Sequence, residues 1–174
     1  MPAGFAEFAQ PRGLASVADV SDANVGGAGT PSEPAAAGDA EEISLYEAAG
    51  GTPFFEQLVE HFYEGVVTDA VLAPLYDFDD LDGARRRLTL FLVQFFGGPT
   101  TYLEERGHPM LRMRHLPFHI GPEQRDHWLI HMRAAVESLD PHPVIRRMLL
   151  DYFEPAAEHL RNDTGLPISR PRPG

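Results

Sequence analysis

Apolar side chains between residues 43 and 161 recur at the spacing of helix faces. In "PFFEQLVEHFYEGVV", Phe55, Leu58, Val59, Phe62 and Val66 fall at i, i+3, i+4, i+7 and i+11, one stripe along a helix. Pro53 suits its first turn. Ahead of it, Ser44 can cap a short helix over 45–49 that stops at Gly50-Gly51. After a link through Pro74 and "YDFDD", Asp79 or Asp80 can cap a third helix. Its inward positions are Leu81, Ala84, Leu88, Phe91, Leu92 and Phe95. Arg85, Arg86 and Arg87 lie largely outside, and "GGP" at 97–99 ends it. A fourth, shorter helical stretch leads to His115. Pro122-Glu123 opens a fifth, whose apolar side carries Trp128, Leu129, Met132, Ala135, Val136 and Leu139. A sixth spans 142–161, with Val144, Met148, Leu149, Tyr152, Ala156 and Leu160 inward. Pro155 lies inside it, and an interior proline costs about 3 kcal/mol, so a bend is expected near 151–155. No segment alternates with the period of a strand. The fold class is all-α.

The flanks differ in kind. Residues 1–42 are rich in Ala, Gly, Ser and Pro, with seven acids and one arginine. Such a segment cannot bury enough apolar surface to offset its ordering entropy, which predicts disorder, with a transient helix in "LASVADV". "DTGLPISRPRPG" reads as a tail for the same reason. The expected organisation is an extension over 1–42, a folded domain over 43–161 and a tail over 162–174.

Composition then narrows the chemistry. The chain has no cysteine, which removes disulfides, thiolate zinc sites, iron–sulfur clusters and cysteine nucleophiles. A net charge of -12 argues against general binding to nucleic acid. All 14 basic residues are arginine, which with abundant Ala, Gly and Pro points to a GC-rich bacterial genome. No run approaches the roughly 20 apolar residues of a membrane span. The N-terminus lacks the basic and apolar regions of a signal peptide, so the expected location is the cytoplasm.

Eight histidines remain to be placed. His127 and His131, four apart on one helix, have a metal-ligand spacing but lack the Glu of a zincin motif. The expectation is two solvated histidines on a polar face. Pro117 separates His115 from His119, which sets them on different faces. His61 is expected to be exposed and His108 to lie in a loop. His115 is distinctive: it ends a helical turn with Leu111 one turn earlier, just before a Leu-Pro step. Arg112 and Arg114 point elsewhere, where they could meet anionic groups. Spacing leaves two readings of His115, a hydrogen-bonded core residue, which is the commoner case, and a ligand. Tyr63, Tyr76 and Trp128 are large side chains with one donor each, able to face a pocket. Taken singly, each is equally explained by core packing. "FFGGP" follows a helix and lacks the Lys and Ser/Thr of a phosphate loop. There is no "GxSxG" elbow.

"AAGGTPFFEQLVEHFY", "FFGGPTTY", "RGHPMLRMRHLPFHIG" and "RDHW", in this order, resemble group II truncated haemoglobins of actinobacteria over residues 44–161. The most specific parts are "GHPxLRxRHxPF" and a tryptophan 13 residues after its histidine. The resemblance implies a truncated globin, a two-over-two helical sandwich around haem b. It makes His115 the proximal ligand through Nε2, with the other ring nitrogen donating to a backbone carbonyl. It sets Leu111 on the proximal haem face and brings Arg114 and Tyr102 to the propionates. Tyr63, Tyr76 and Trp128 match a distal polar trio. Ala84 and Leu88 would line the distal wall, the small Ala84 leaving a side entrance open. Phe62, Phe91 and Met132 would pack around the haem edge, though core packing largely accounts for them. Two positions depart from the pattern. Phe96 stands where tryptophan is expected, which should affect helix-end packing, and Pro155 is unexpected in the last helix.

The implied activity is reversible binding of dioxygen and other diatomic ligands, with slow release because three donors face the developing negative charge. Other classes stay open at this point. One is a haem enzyme acting on peroxide or nitric oxide with a redox partner; another is a ligand sensor using residues 1–42. A haem-free binder of an apolar ligand is disfavoured by the intact "RHxPF" and distal trio. The oligomeric state is not specified, and a homodimer is compatible.

Overall fold

A computed structural model describes residues 43–163. The expectations for residues 1–42 and 164–174 lie outside the described residues. Within them the chain forms α1 (Leu45–Ala49), α2 (Thr52–Val66), α3 (Leu81–Phe95), α4 (Thr101–Arg106), α5 (Leu111–His115), α6 (Pro122–Ser138) and α7 (Pro143–Leu160), with 3-10 turns at Ala73–Leu75 and Phe78–Asp80. No strand occurs among the described residues.

Local chemistry accounts for the boundaries. Ser44 closes a capping box: its side chain accepts from the Glu47 amide, and the Glu47 carboxylate accepts from the Ser44 amide. Gly50 then ends α1 with φ 107°. Asp80 does stand at the start of α3, but its carboxylate pairs with Arg87 at 2.6 Å and caps no helix amide. The expected fourth helix is two. Gly107 (φ 70°) and Met110 (φ 42°) both adopt left-handed backbone, which a continuing helix forbids, so α4 and α5 are separate. At the end of α3, the Phe96 carbonyl accepts from the Tyr46 amide at 2.9 Å, which ties α1 to that corner. A Cβ on Gly98 would sit 2.8 Å from the Val93 carbonyl oxygen, so only glycine allows this close approach.

The long helices form two pairs, α2 with α3 and α6 with α7, joined face to face through α2 and α6. This is the two-over-two arrangement. Phe55, Leu58, Val59, Phe62 and Val66, the stripe read from the sequence, are all buried. Each such side chain contributes about 1.5–3 kcal/mol by leaving water. On α6, Leu129, Met132, Ala135 and Val136 meet them. On α7 the deepest residues are Ile145, Leu149, Phe153 and Ala157, one position round from most of the predicted set. On the neighbouring face Tyr152, Ala156 and Leu160 border a cavity, Tyr152 while also packing on the core.

Phe96 is 2% exposed and stacks on Phe55 (5.6 Å, 17°) while meeting Tyr152 edge-on (5.3 Å, 82°), an aromatic corner where α1, α2, α3 and α7 converge. Pro155 does not interrupt α7, which continues to Leu160. The proline and Asp151, whose carbonyl it leaves without an amide donor, are both on the exposed side. Residue 162 is not tail. The Asn162 side chain donates to the carbonyls of His115 (3.1 Å) and Phe118 (2.7 Å) and accepts from the Ile120 amide (2.9 Å). No helix among the described residues is long and apolar enough to cross a membrane.

Candidate ligand and cofactor cavity

Between the two helix pairs lies a cavity of about 650 Å³, a size suited to an organic cofactor. Its wall includes Tyr63, Tyr76, Ala84, Leu88, Phe91, Tyr102, Leu111, Arg114, His115 and Trp128, ten positions singled out from the sequence. They come from α2, the link after it, α3, α4, α5 and α6.

Two of the residues expected at the cofactor edge are elsewhere. Met132 is fully buried between α2 and α6 and does not border the cavity, because it stands one turn beyond Trp128 and deeper in the helix interface. Phe62 is also core: its ring supports Trp128 (5.3 Å) and Tyr63 (5.2 Å) from outside the cavity.

On one side, α5 presents His115. Its Nδ1 stands 2.6 Å from the Leu111 carbonyl oxygen. A carbonyl only accepts, so Nδ1 carries the hydrogen, and in the neutral ring Nε2 then has the lone pair. Leu111 thus contributes twice, by packing on the core with its side chain and by orienting the imidazole with its carbonyl. Asn162 holds the next backbone segment through the His115 and Phe118 carbonyls. His119 lies past the helix and pairs with Asp163 at 3.3 Å.

The polar trio comes from α2, α6 and the link between α2 and α3, and all three residues border the cavity. Tyr63 and Tyr76 meet edge to face at 5.5 Å and 82°. The Trp128 indole, which can only donate, stands near enough to the Tyr76 hydroxyl to favour its ionised form. Burial pushes the Tyr63 hydroxyl up to about 12, with Arg87 and Arg85 opposing. Burial also pushes Tyr76 well above the usual phenol range; Tyr63 adds to this and the nearby Trp128 indole N–H opposes it. Both phenols are therefore neutral donors at ordinary pH.

Arginine marks the cavity rim. Arg87, Arg106, Arg114 and Arg125 all border it in a chain of net charge -12. Arg114 is anchored by donating Nε to the Pro109 carbonyl (2.8 Å) and Nη2 to that of Arg106 (3.1 Å). Arg87, read as lying largely outside, faces the cavity edge as well as Asp80. Arg125 and Arg106 were not singled out from the sequence, since charge on a mixed helix face gave no sign of a rim, and Tyr152 was read only as an inward position of the last helix. Tyr102 is 4% exposed and packs edge-on to Phe91 at 5.7 Å.

Two further histidine expectations change. His61 is half-buried and bonds Ser138 Oγ at 2.6 Å. His127 and His131 are not a solvated pair, for both converge on Asp69, a residue far away in sequence.

The donor set limits what the cavity can hold. Among the described residues, no group of three or more His, Asp or Glu is arranged to hold a metal ion. A single imidazole is too few for a bare ion. It suits a metal that arrives with its own organic ligand, and the apolar walls and arginine rim fit such a group with acidic substituents. Fold and site together define a globin with a cofactor cavity.

A family model for bacterial-like globins matches residues 44–162. The group 2 truncated hemoglobin YjbI of Bacillus subtilis (strain 168) is 43% identical over 119 residues, 68% of this chain and 89% of its own length. A solved thermostable hemoglobin from the actinobacterium Thermobifida fusca is 51% identical with a TM-score of 0.68, covering 69% of this chain and 98% of that one. The hemoglobin of Chloroflexus aurantiacus gives 44% identity and a TM-score of 0.68, over 70% of this chain and 100% of that one. The chain belongs to the bacterial-like globins and, within them, to the group II truncated haemoglobins.

Proposed function

We propose that the cavity holds haem b and that this protein binds dioxygen, or another diatomic ligand of similar polarity, reversibly. The observation that carries the reading is His115: a cavity-facing imidazole whose Nδ1–H is committed to the Leu111 carbonyl, so that Nε2 is the free donor atom. Haem iron would supply the ligand-binding position. This chain's residues would do the rest. His115 would hold the metal through Nε2, its ring fixed by the Leu111 carbonyl. Leu111, Leu88 and Phe91 supply apolar walls. Arg114 and Tyr102 offer donors to the carboxylate edge. Tyr63, Tyr76 and Trp128 would offer O–H and N–H groups to a bound ligand that gains negative charge, which would retard its release. Ala84 leaves space beside them for entry.

The test is the visible absorption spectrum of the full chain with haem, beside His115→Ala. Stoichiometric uptake, with a Soret band that shifts on adding carbon monoxide, is expected for the wild type. Haem ligation is expected to be lost or altered in the variant and restored toward the original by free imidazole. Failure of the wild type to take up haem would overturn the reading.

A further inference from the structure

The histidine pair of α6 lies outside the cavity wall yet is tied to two of its residues. Asp69, in the link after α2, uses both carboxylate oxygens. Oδ1 accepts from the amides of Val71 (2.9 Å) and Leu72 (3.0 Å). Oδ2 accepts from His127 Nδ1 (2.8 Å) and His131 Nε2 (2.7 Å). An ionised carboxylate only accepts, so both ring nitrogens carry hydrogen. The Asp69 side chain is only 9% exposed. Burial pushes its carboxyl upward, but the hydrogen bonds from His127, His131, Leu72 and Val71 outweigh this and hold it well below the usual range. Gly65 on α2 makes room for the cluster: a Cβ there would lie 2.2 Å from His131 Nδ1.

The two ends of this cluster lead to the distal donors. His127 directly precedes Trp128 on α6. Leu72, capped by Asp69, is 2% exposed and borders the cavity. From there the backbone runs on by short bonds, Ala73 amide to Asp69 carbonyl (2.8 Å) and Tyr76 amide to Ala73 carbonyl (3.1 Å). One carboxylate therefore grips both the segment that delivers Tyr76 and the helix that delivers Trp128, and both of those side chains border the cavity.

We propose that Asp69, His127 and His131 form a positioning clamp that sets Tyr76 against Trp128 and so governs how long a ligand stays in the cavity. The lifetime part rests on the distal role assigned above to these two side chains. The clamp touches neither ligand nor cofactor. It acts through the placement of groups that do, and a displacement near 1 Å at such groups has large kinetic effects.

Two full-length variants separate the hydrogen bonds from general packing. Asp69→Asn can keep its acceptor for Val71 and Leu72 but replaces the oxygen facing the histidines by an amide donor. His127→Asn combined with His131→Gln keeps amide donors near the positions of Nδ1 and Nε2. In haem-loaded protein, Asp69→Asn is expected to release dioxygen about tenfold faster, while the double variant stays close to wild type. The second readout needs no haem. Trp128 is the only tryptophan, so the indole N–H resonance of the haem-free full chain reports on it alone. Asp69→Asn should move that resonance and the double variant should not. A folded Asp69→Asn with wild-type release and resonance would overturn the proposal, as would a double variant as perturbed as Asp69→Asn. Should Asp69→Asn not fold, the double variant is compared with His127→Ala/His131→Ala. Faster release and a moved resonance only in the alanine pair support the clamp; equal behaviour sinks it. Absence of haem uptake by every form would overturn the proposed function, and the resonance would still decide the clamp.

Discussion

At the scale of single residues, protonation decides which groups can act. Tyr63 is held neutral by burial, its hydroxyl pushed up to about 12. A tyrosine with a raised folded value contributes stability that is whole below about pH 10 and is lost as pH climbs toward the folded value. Its donor role should persist across the same range. Tyr63→Phe is expected to speed dioxygen release by the same factor from pH 6 to about pH 10, read by stopped-flow mixing; a ratio that drifts over that range would contradict a neutral donor. Asp69 behaves in the opposite sense. Its lowered carboxyl contributes stability present above about pH 4 and lost as pH falls toward the folded value. Thermal unfolding of wild type and Asp69→Asn should therefore differ at pH 7 and converge on acidification below pH 4.

At the scale of elements, the informative positions are those where one side chain fastens two segments. Asn162 closes α7 onto the backbone just after His115 with three hydrogen bonds. Asn162→Ala is expected to cost about 1–3 kcal/mol in denaturant unfolding and to speed haem loss to an acceptor protein. Phe55, fully buried and stacked on Phe96, anchors α2 in the aromatic corner. Phe55→Ala should cost about 3–5 kcal/mol by the same measurement, without a change in ligand release, because neither Phe55 nor Phe96 borders the cavity. The stripe on α2 was readable because every member of it faces the core. On α7 the reading slipped by one position, since a face that borders a cavity is as apolar in sequence as a face that borders another helix. Asn162 carried no sequence signal at all: its partners are carbonyls and an amide more than 40 residues away.

At the scale of the molecule, the cavity is the cost of the function. Side chains from both helix pairs face about 650 Å³ that the protein itself does not fill. A cofactor bound only by the folded state adds its binding free energy to stability. Removal of haem is expected to lower the calorimetric unfolding midpoint, and re-addition to restore it in proportion to occupancy.

Sequence alone determined the helices, their approximate ends, the all-α class and a set of polar residues at odds with their apolar surroundings. These follow from local rules, since helical period, caps and glycine or proline punctuation act over a few residues. It also marked His115, through a helix turn closed by Leu-Pro. Only the tertiary structure decided that Leu111 and His115 share a hydrogen bond facing a cavity, that Tyr76 and Trp128 meet, and that Met132 does not join them. It alone turned His127 and His131 from a polar stripe into a pair closed by Asp69, 58 and 62 residues away. Such contacts depend on how whole helices pack, which no local pattern encodes.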